Sequence, residues 1–170
     1  IYDPSQQIVR LDSQALREGV EGADILIVND YEYELLKDHT GMSDADIRNI
    51  VRRAVIVTCG AEGALIWTDG QEESVGREET VCLLEVPSVP PKEILDPTGV
   101  GDAYRAGLIK GLALGLSWEV ASRIGSLAAT YVLETHGPQT HYYTLPEFAS
   151  RYHAVFGDDA FTTTLGDNLS

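Results

Sequence analysis

The sequence predicts an α/β layered fold in which helices flank a mainly parallel sheet. Three observations carry that expectation. The runs Ile25-Leu26-Ile27-Val28 and Ala54-Val55-Ile56-Val57 are continuously apolar, the pattern of strands buried on both faces of a parallel sheet. Strands alternate with helical patterns through the first half, and helical patterns close the chain. With 170 residues, 44% of them hydrophobic and 23% charged, the chain fits one domain with a substantial core.

Taken in order, Ile1-Tyr2-Asp3 reads as a strand end broken by Pro4. A short helix over Ser13 to Gly19 precedes the first apolar strand, Asp24 to Asn29. Two helices follow, Tyr31 to Asp38 and Ser43 to Arg53, the second capped by Ser43. Strands are expected over Ala54 to Thr58, Ala64 to Trp67 and Val81 to Val86. Thr68-Asp69-Gly70 reads as a hairpin turn, and the acidic piece Gln71 to Thr80 as an exposed limb or loop. A Pro-rich connection, Pro87 to Pro91, leads to a helix in which Gly107, Gly111 and Gly115 offer a smooth packing face. Ser117 caps a long helix from Trp118 to about Glu134, with an apolar stripe of Val120, Ile124, Leu127, Ala128 and Tyr131. Gly137-Pro138 stops it, and a last helix begins at Thr144 and runs to about Phe156.

Composition excludes several function classes. A formal net charge of −15 argues against a nucleic-acid surface and against anionic membranes. Two cysteines, Cys59 and Cys82, imply no disulfide framework, so a cytoplasmic location is expected. No signal pattern is present, and charges interrupt every apolar run well short of a membrane span. His136 and His141 lack a third ligand at a spacing that suits zinc.

The stretch Glu93 to Gly107 organises the rest. An extended lead-in ends at Pro97, which biases Asp96 away from helix. Gly99 and Gly101 flank Val100, and Asp102 opens a helical pattern. Amides converging at a helix start attract anions, phosphate above all. A carboxylate there repels phosphate unless it has another task, and taking a proton from an attacking hydroxyl is such a task. Helix capping by Asp102 after a Gly-rich turn is the plainer alternative.

The string Asp96-x-Thr98-Gly99-x-Gly101-Asp102-x-x-x-x-Gly107 closely resembles the D-T-x-G-A-G-D signature of the ribokinase-like (PfkB) family of sugar and nucleoside kinases. It departs by Pro97, by Val100 for Ala, and by Tyr104-Arg105 for the frequent Phe-x. The resemblance implies ATP and Mg²⁺, with Asp102 as general base and the Gly99, Val100 and Gly101 amides as an anion hole. Asn29-Asp30-Tyr31-Glu32 matches the family's N-x-x-E, where Glu32 would order water around Mg²⁺; a capping box is the other reading of Asn29 and Glu32. Thr58-Cys59-Gly60-Ala61-Glu62-Gly63 matches its T-x-G-x-x-G beside the nucleotide, and equally a Gly-rich turn between strands. Ser126 to Ala129 corresponds to its small-residue helix near the adenine, or to core packing, and His136 to the loop that closes the base pocket. Asp96 and Thr98 would offer oxygens to a monovalent cation such as K⁺.

The resemblance runs from about Ile1 to Phe156 and implies the carboxyl-terminal half of such a kinase, lid missing. It gives one domain over 1–157 and a flexible tail over 158–170. The weaker features Asp3-Pro4-x-Gln6-Gln7, Asn29-Asp30-Tyr31-Glu32 and Gly137-Pro138-Gln139 lean toward the bacterial adenosine-kinase-like branch. A sugar or nucleoside is the implied acceptor, and the missing amino-terminal half, a second chain or a second copy in a homodimer the implied partner. The alternative is a non-catalytic nucleotide-binding or interaction fragment of a larger kinase.

Overall fold

The computed structural model describes residues 1–68 and 82–158, which fall into two compact units. The expected turn at Asp69-Gly70, the acidic limb, Val81 and the tail from 159 lie outside the described residues.

The first unit comprises Ile1–Gly60 and Ala64–Glu85. Tyr2 makes a single parallel bridge to Leu26, donating its N–H to the Ile25 carbonyl (2.8 Å) and accepting from the Ile27 N–H (3.0 Å). Pro4 then ends the strand, and Ser5–Val9 winds into a 3-10 turn that the sequence pattern did not reveal. Helix α1, Ser13–Glu21, starts at Asp12, whose carboxylate accepts from the Ala15 N–H. Strand β1, Ile25–Asn29, leads directly into α2, Asp30–Thr40, which Gly41 closes in the left-handed region at φ 67°.

Helix α3 spans Asp44–Ile50 behind a Ser43–Asp46 capping box. It stops short of the expected Arg53 because Val51 turns extended and the next two amides are taken elsewhere. Arg52 donates to the Ala23 carbonyl and Arg53 to that of Asp24. Strands β2, Ala54–Thr58, β3, Ala64–Thr68, and β4, Cys82–Val86, complete a sheet ordered β1-β2-β3-β4. The pair β1–β2 is parallel, with Ile27 opposite Ile56, and β2–β3 is antiparallel, with Ile56 opposite Ile66. The α2–α3 crossover is long enough for parallel pairing, whereas the Gly60–Glu62 turn permits only the antiparallel kind. Leu26, Val28, Val55 and Val57 pack with Leu16, Val20, Leu36 and Ile47 in the core of this unit.

The second unit takes in Ala61–Gly63 and the chain from Val86. Helices α4, Val100–Ala113, and α5, Trp118–Leu133, pack antiparallel at close range. A Cβ on Gly107 would lie 2.7 Å from the Gly125 Cα, and one on Gly111 would lie 2.6 Å from the Ala121 Cα. Gly115, expected on the same face, meets nothing within 4 Å; at φ 76° it ends α4 instead. The α5 stripe behaves as expected: Ile124, Leu127 and Ala128 are buried with Val89, Phe148 and Tyr152, and Val120 and Tyr131 pack against them.

Helix α6, Leu145–Phe156, starts with a Thr144–Glu147 capping box. Arg151 forks onto both Glu134 carboxylate oxygens at 2.6 and 2.8 Å, and Glu134 also accepts the Lys92 N–H at 2.6 Å. The pair ties α6 to the end of α5, and Arg151 above all holds Glu134 below the usual carboxylate range. Asp158, expected to open the flexible tail, is held by the Arg123 guanidinium at 2.7 Å.

Candidate active site

The start of α4 is built from backbone. Gly99 is the N-cap at φ 84°, a conformation costly to any side chain. A Cβ there would also lie 2.6 Å from that of Pro138. No side chain caps the helix, so its first-turn N–H groups point outward with the positive end of the helix dipole behind them. The Val100 N–H differs from its neighbours, since it donates to the Pro97 carbonyl at 3.4 Å. Gly101 has no steric need to be glycine within the chain: a Cβ would meet nothing within 4 Å. Gly101 is exposed, so the helix start is open to a ligand, and a helix N-terminus of this kind suits phosphate.

Asp102 is not the cap that the plainer alternative made of it. It sits three residues beyond Gly99, inside the first turn, with its side chain 75% exposed. Its Oδ1 accepts from Nη2 of Arg105 one turn further on. Sequence reading passed over Arg105 except as a departure from a pattern, although the i, i+3 spacing is a recognised pairing signal. The neighbouring Tyr104 is buried, its hydroxyl 2.6 Å from that of Ser122; burial pushes its ionisation up to about 12, with Ser122 opposing.

Asp96 clasps the loop after α5. Its Oδ1 accepts the Thr98 N–H at 2.9 Å and its Oδ2 the Gly137 N–H at 3.0 Å. Thr98, by hydroxyl and then by N–H, and next Gly137, hold the carboxyl below its ordinary value, with nearby His136 adding to the effect. A cavity of about 470 Å³ opens beside Gly99 and Asp102, walled by Ala106, Ala128, His141 and Tyr143.

Ser126 proves occupied within its own unit. Its hydroxyl accepts the Val89 N–H at 3.1 Å and reaches the Pro87 carbonyl, while Thr130 bonds the Val89 carbonyl at 3.0 Å. Ala129 is buried one position away. A Cβ on Gly63, at φ 100°, would sit 2.1 Å from the Val86 carbonyl oxygen, which fixes glycine there.

In the first unit, Asn29 and Thr58 are partners across the parallel pair, so two of the predicted motifs start side by side at the carboxyl edge of β1 and β2. The capping box is complete: Glu32 donates its N–H to Asn29 Oδ1 at 2.7 Å, and Glu32 Oε2 accepts the Asn29 N–H at 2.9 Å. Gly60 follows at φ 55°.

Comparison with known proteins identifies the fold and the family. The fold is of the ribokinase kind, shared for example with a putative ribokinase II from Escherichia coli in complex with ATP and Mg²⁺ (TM-score 0.67, 24% identity, 83% of this chain and 42% of that one). The family model for pfkB family carbohydrate kinases matches residues 1–144, and the chain belongs to that family. A nucleoside kinase of Burkholderia thailandensis in complex with ADP-inosine is 36% identical with a TM-score of 0.81, over 92% of this chain and 45% of its own. A nucleoside kinase of Methanocaldococcus jannaschii is 29% identical over 152 residues, 88% of this chain and 46% of the relative. The chain thus spans about half the length of the relatives it matches.

Proposed function

We propose that this chain carries the phosphoryl-transfer machinery of an ATP-dependent kinase whose acceptor is a nucleoside hydroxyl. The observation that carries the reading is a carboxylate inside the first turn of α4, beside amides that no side chain caps and the exposed Gly101. Asp102 takes the proton of the acceptor hydroxyl as its oxygen attacks the γ-phosphorus. The bond from that phosphorus to the β–γ bridging oxygen breaks, and ADP leaves. The amides of Gly99 and Gly101, with that of Val100 once released from Pro97, neutralise charge gathering on the transferring group. Nucleoside is preferred to sugar because the B. thailandensis and M. jannaschii relatives are nucleoside kinases, an adenosine kinase being one member of that class.

The residues present fit a hydrated Mg²⁺ more than a protein cage. Among the described residues no group of three or more His, Cys, Asp or Glu could hold a metal ion. Mg²⁺ retains several waters and accepts one or two carboxylates plus substrate phosphates. Glu32 would hold it through water, and the ion would supply charge neutralisation on the phosphates. On the nucleotide side Asn29, Thr58, Gly60 and Gly63 complete the reading, with Ser126, Ala129 and His136 toward the base. Asp96 and Thr98 would hold a monovalent cation such as K⁺: the two Asp96 oxygens together take the Thr98 N–H and hydroxyl and the Gly137 N–H, which leaves acceptor capacity for an ion. A cytoplasmic location belongs to the same reading, ATP being the donor. Among the described residues no helix is long and apolar enough to cross a membrane.

Asp102→Asn tests the assignment, since Asn keeps the size but cannot accept the proton. In the chain complemented with the amino-terminal half of a full-length relative, with ATP and nucleoside saturating, turnover should fall about 10²–10⁴-fold while ATP affinity holds. Near-normal turnover would remove Asp102 from the chemistry.

A further inference from the structure

Side chains on a helix lean toward its N-terminus, so the guanidinium of Arg105 lies over the preceding turn, on Asp102. The two partners are unlike. The Arg105 side chain is 24% exposed and that of Asp102 75%. Burial lowers the ionisation of the guanidinium, the mark of a group partly stripped of water. In an ordinary surface pair both side chains swing freely, and the pair is worth little. Here the cation is anchored in the protein and the carboxylate stands out into the cavity beside Gly99.

We propose that Arg105 is a positioning residue for phosphoryl transfer: it holds the Asp102 carboxylate by Oδ1 and so presents Oδ2 to the acceptor hydroxyl. The inference rests on the phosphoryl-transfer reading above. One charge-assisted N–H···O bond restrains Oδ1 and so narrows the directions in which Oδ2 can point. Arg105 touches no reacting atom; it acts through Asp102. It also keeps the base from folding back onto the amides of its own first turn, where it would occupy the phosphate's place.

The test is kinetic, in the chain complemented with the amino-terminal half of a full-length relative, with ATP and a nucleoside, on Arg105→Gln and Arg105→Lys, each alone and combined with Asp102→Asn. Arg105→Gln should lower kcat about 10- to 100-fold, the scale of a misaimed catalytic group, with KM for both substrates within about twofold. Arg105→Lys should recover part of the loss, since it restores charge without the planar fork. In the Asp102→Asn background Arg105→Gln should cost nothing further, because a group that acts only through Asp102 has nothing left to aim. An unchanged kcat in Arg105→Gln would overturn the inference, as would a rise in KM alone or an undiminished further loss in the Asp102→Asn background. If Arg105→Gln fails to fold, by circular dichroism and melting, Arg105→Lys carries the test, and a wild-type kcat there overturns it. An active Asp102→Asn enzyme has a different signature: it overturns the transfer reading, and this inference with it.

Discussion

At the scale of the residue, Asp96 shows how much one carboxylate settles. Its two oxygens fix the turn that leads into α4 and the loop that leaves α5. Those bonds favour the charged form and depress its ionisation from the ordinary 3.8. Such a group contributes stability that is complete above its unfolded value and is lost as pH falls through the folded one. Melting temperature followed from pH 5 down to 2 should therefore drop more steeply in the wild-type chain than in Asp96→Asn, which has no proton to gain; parallel curves would show that the clasp adds nothing. The same residue carries the cation proposal. Turnover of the chain complemented with the amino-terminal half of a full-length relative should be higher in potassium chloride than in an equal concentration of a tetraalkylammonium salt, and equal rates would leave Asp96 a structural clasp alone. The sequence made Asp96, Thr98 and Asp102 legible as candidates through the resemblance of their string, whereas Pro97, Gly99 and Gly101 marked the turn by backbone geometry. It left Arg105 obscure, since an exposed arginine on a helix is ordinary until its partner's position is known.

The elements were read well wherever one physical signal ruled. Strands β1 and β2 announced themselves by unbroken apolarity, and α2, α3, α5 and α6 by caps at Asn29, Ser43, Ser117 and Thr144 that the structure retains. The shortening of α3 was invisible, because its end is set by amides bonded to the Ala23 and Asp24 carbonyls, a tertiary matter. The glycine row in α4 was half right. Gly107 and Gly111 serve contact and Gly115 serves termination, and spacing alone cannot separate those uses. The contact use can be tested at its tightest point. A Cβ on Gly125 would lie 2.6 Å from the Tyr104 carbonyl oxygen, which is backbone and cannot turn aside. Gly125→Ala should cost about 1–3 kcal/mol, by the rule for overpacked sites. Urea denaturation would measure it, and a loss near zero would mean that α4 and α5 separate freely.

For the whole molecule, the limit is coverage. The fold class and family were legible because four motifs stand in one order along the chain. The acceptor was not, because its contacts are not among those motifs. Proximity of the two reactants is worth about 7–11 kcal/mol of barrier, and it is lost when one of them is not held. The 170-residue chain by itself should accordingly bind ATP weakly and show no nucleoside-dependent ADP release. Supplying the amino-terminal half of a full-length relative in trans should restore it. Robust acceptor-dependent turnover by a monodisperse sample of the 170 residues would refute the expectation.

The clasp has a further consequence for how the second unit opens. Leu95 donates its N–H to the Leu133 carbonyl at 2.9 Å, close to the Asp96–Gly137 bond, so the chain enters and leaves the α4–α5 pair at one point. The pair is a noose drawn shut by a few hydrogen bonds. Neither helix can peel away without loosening that knot, so the amides of both should share a single opening free energy in hydrogen exchange. A ligand touching only the start of α4 would then slow exchange as far away as the middle of α5. Its protection footprint would trace the noose and not the contact.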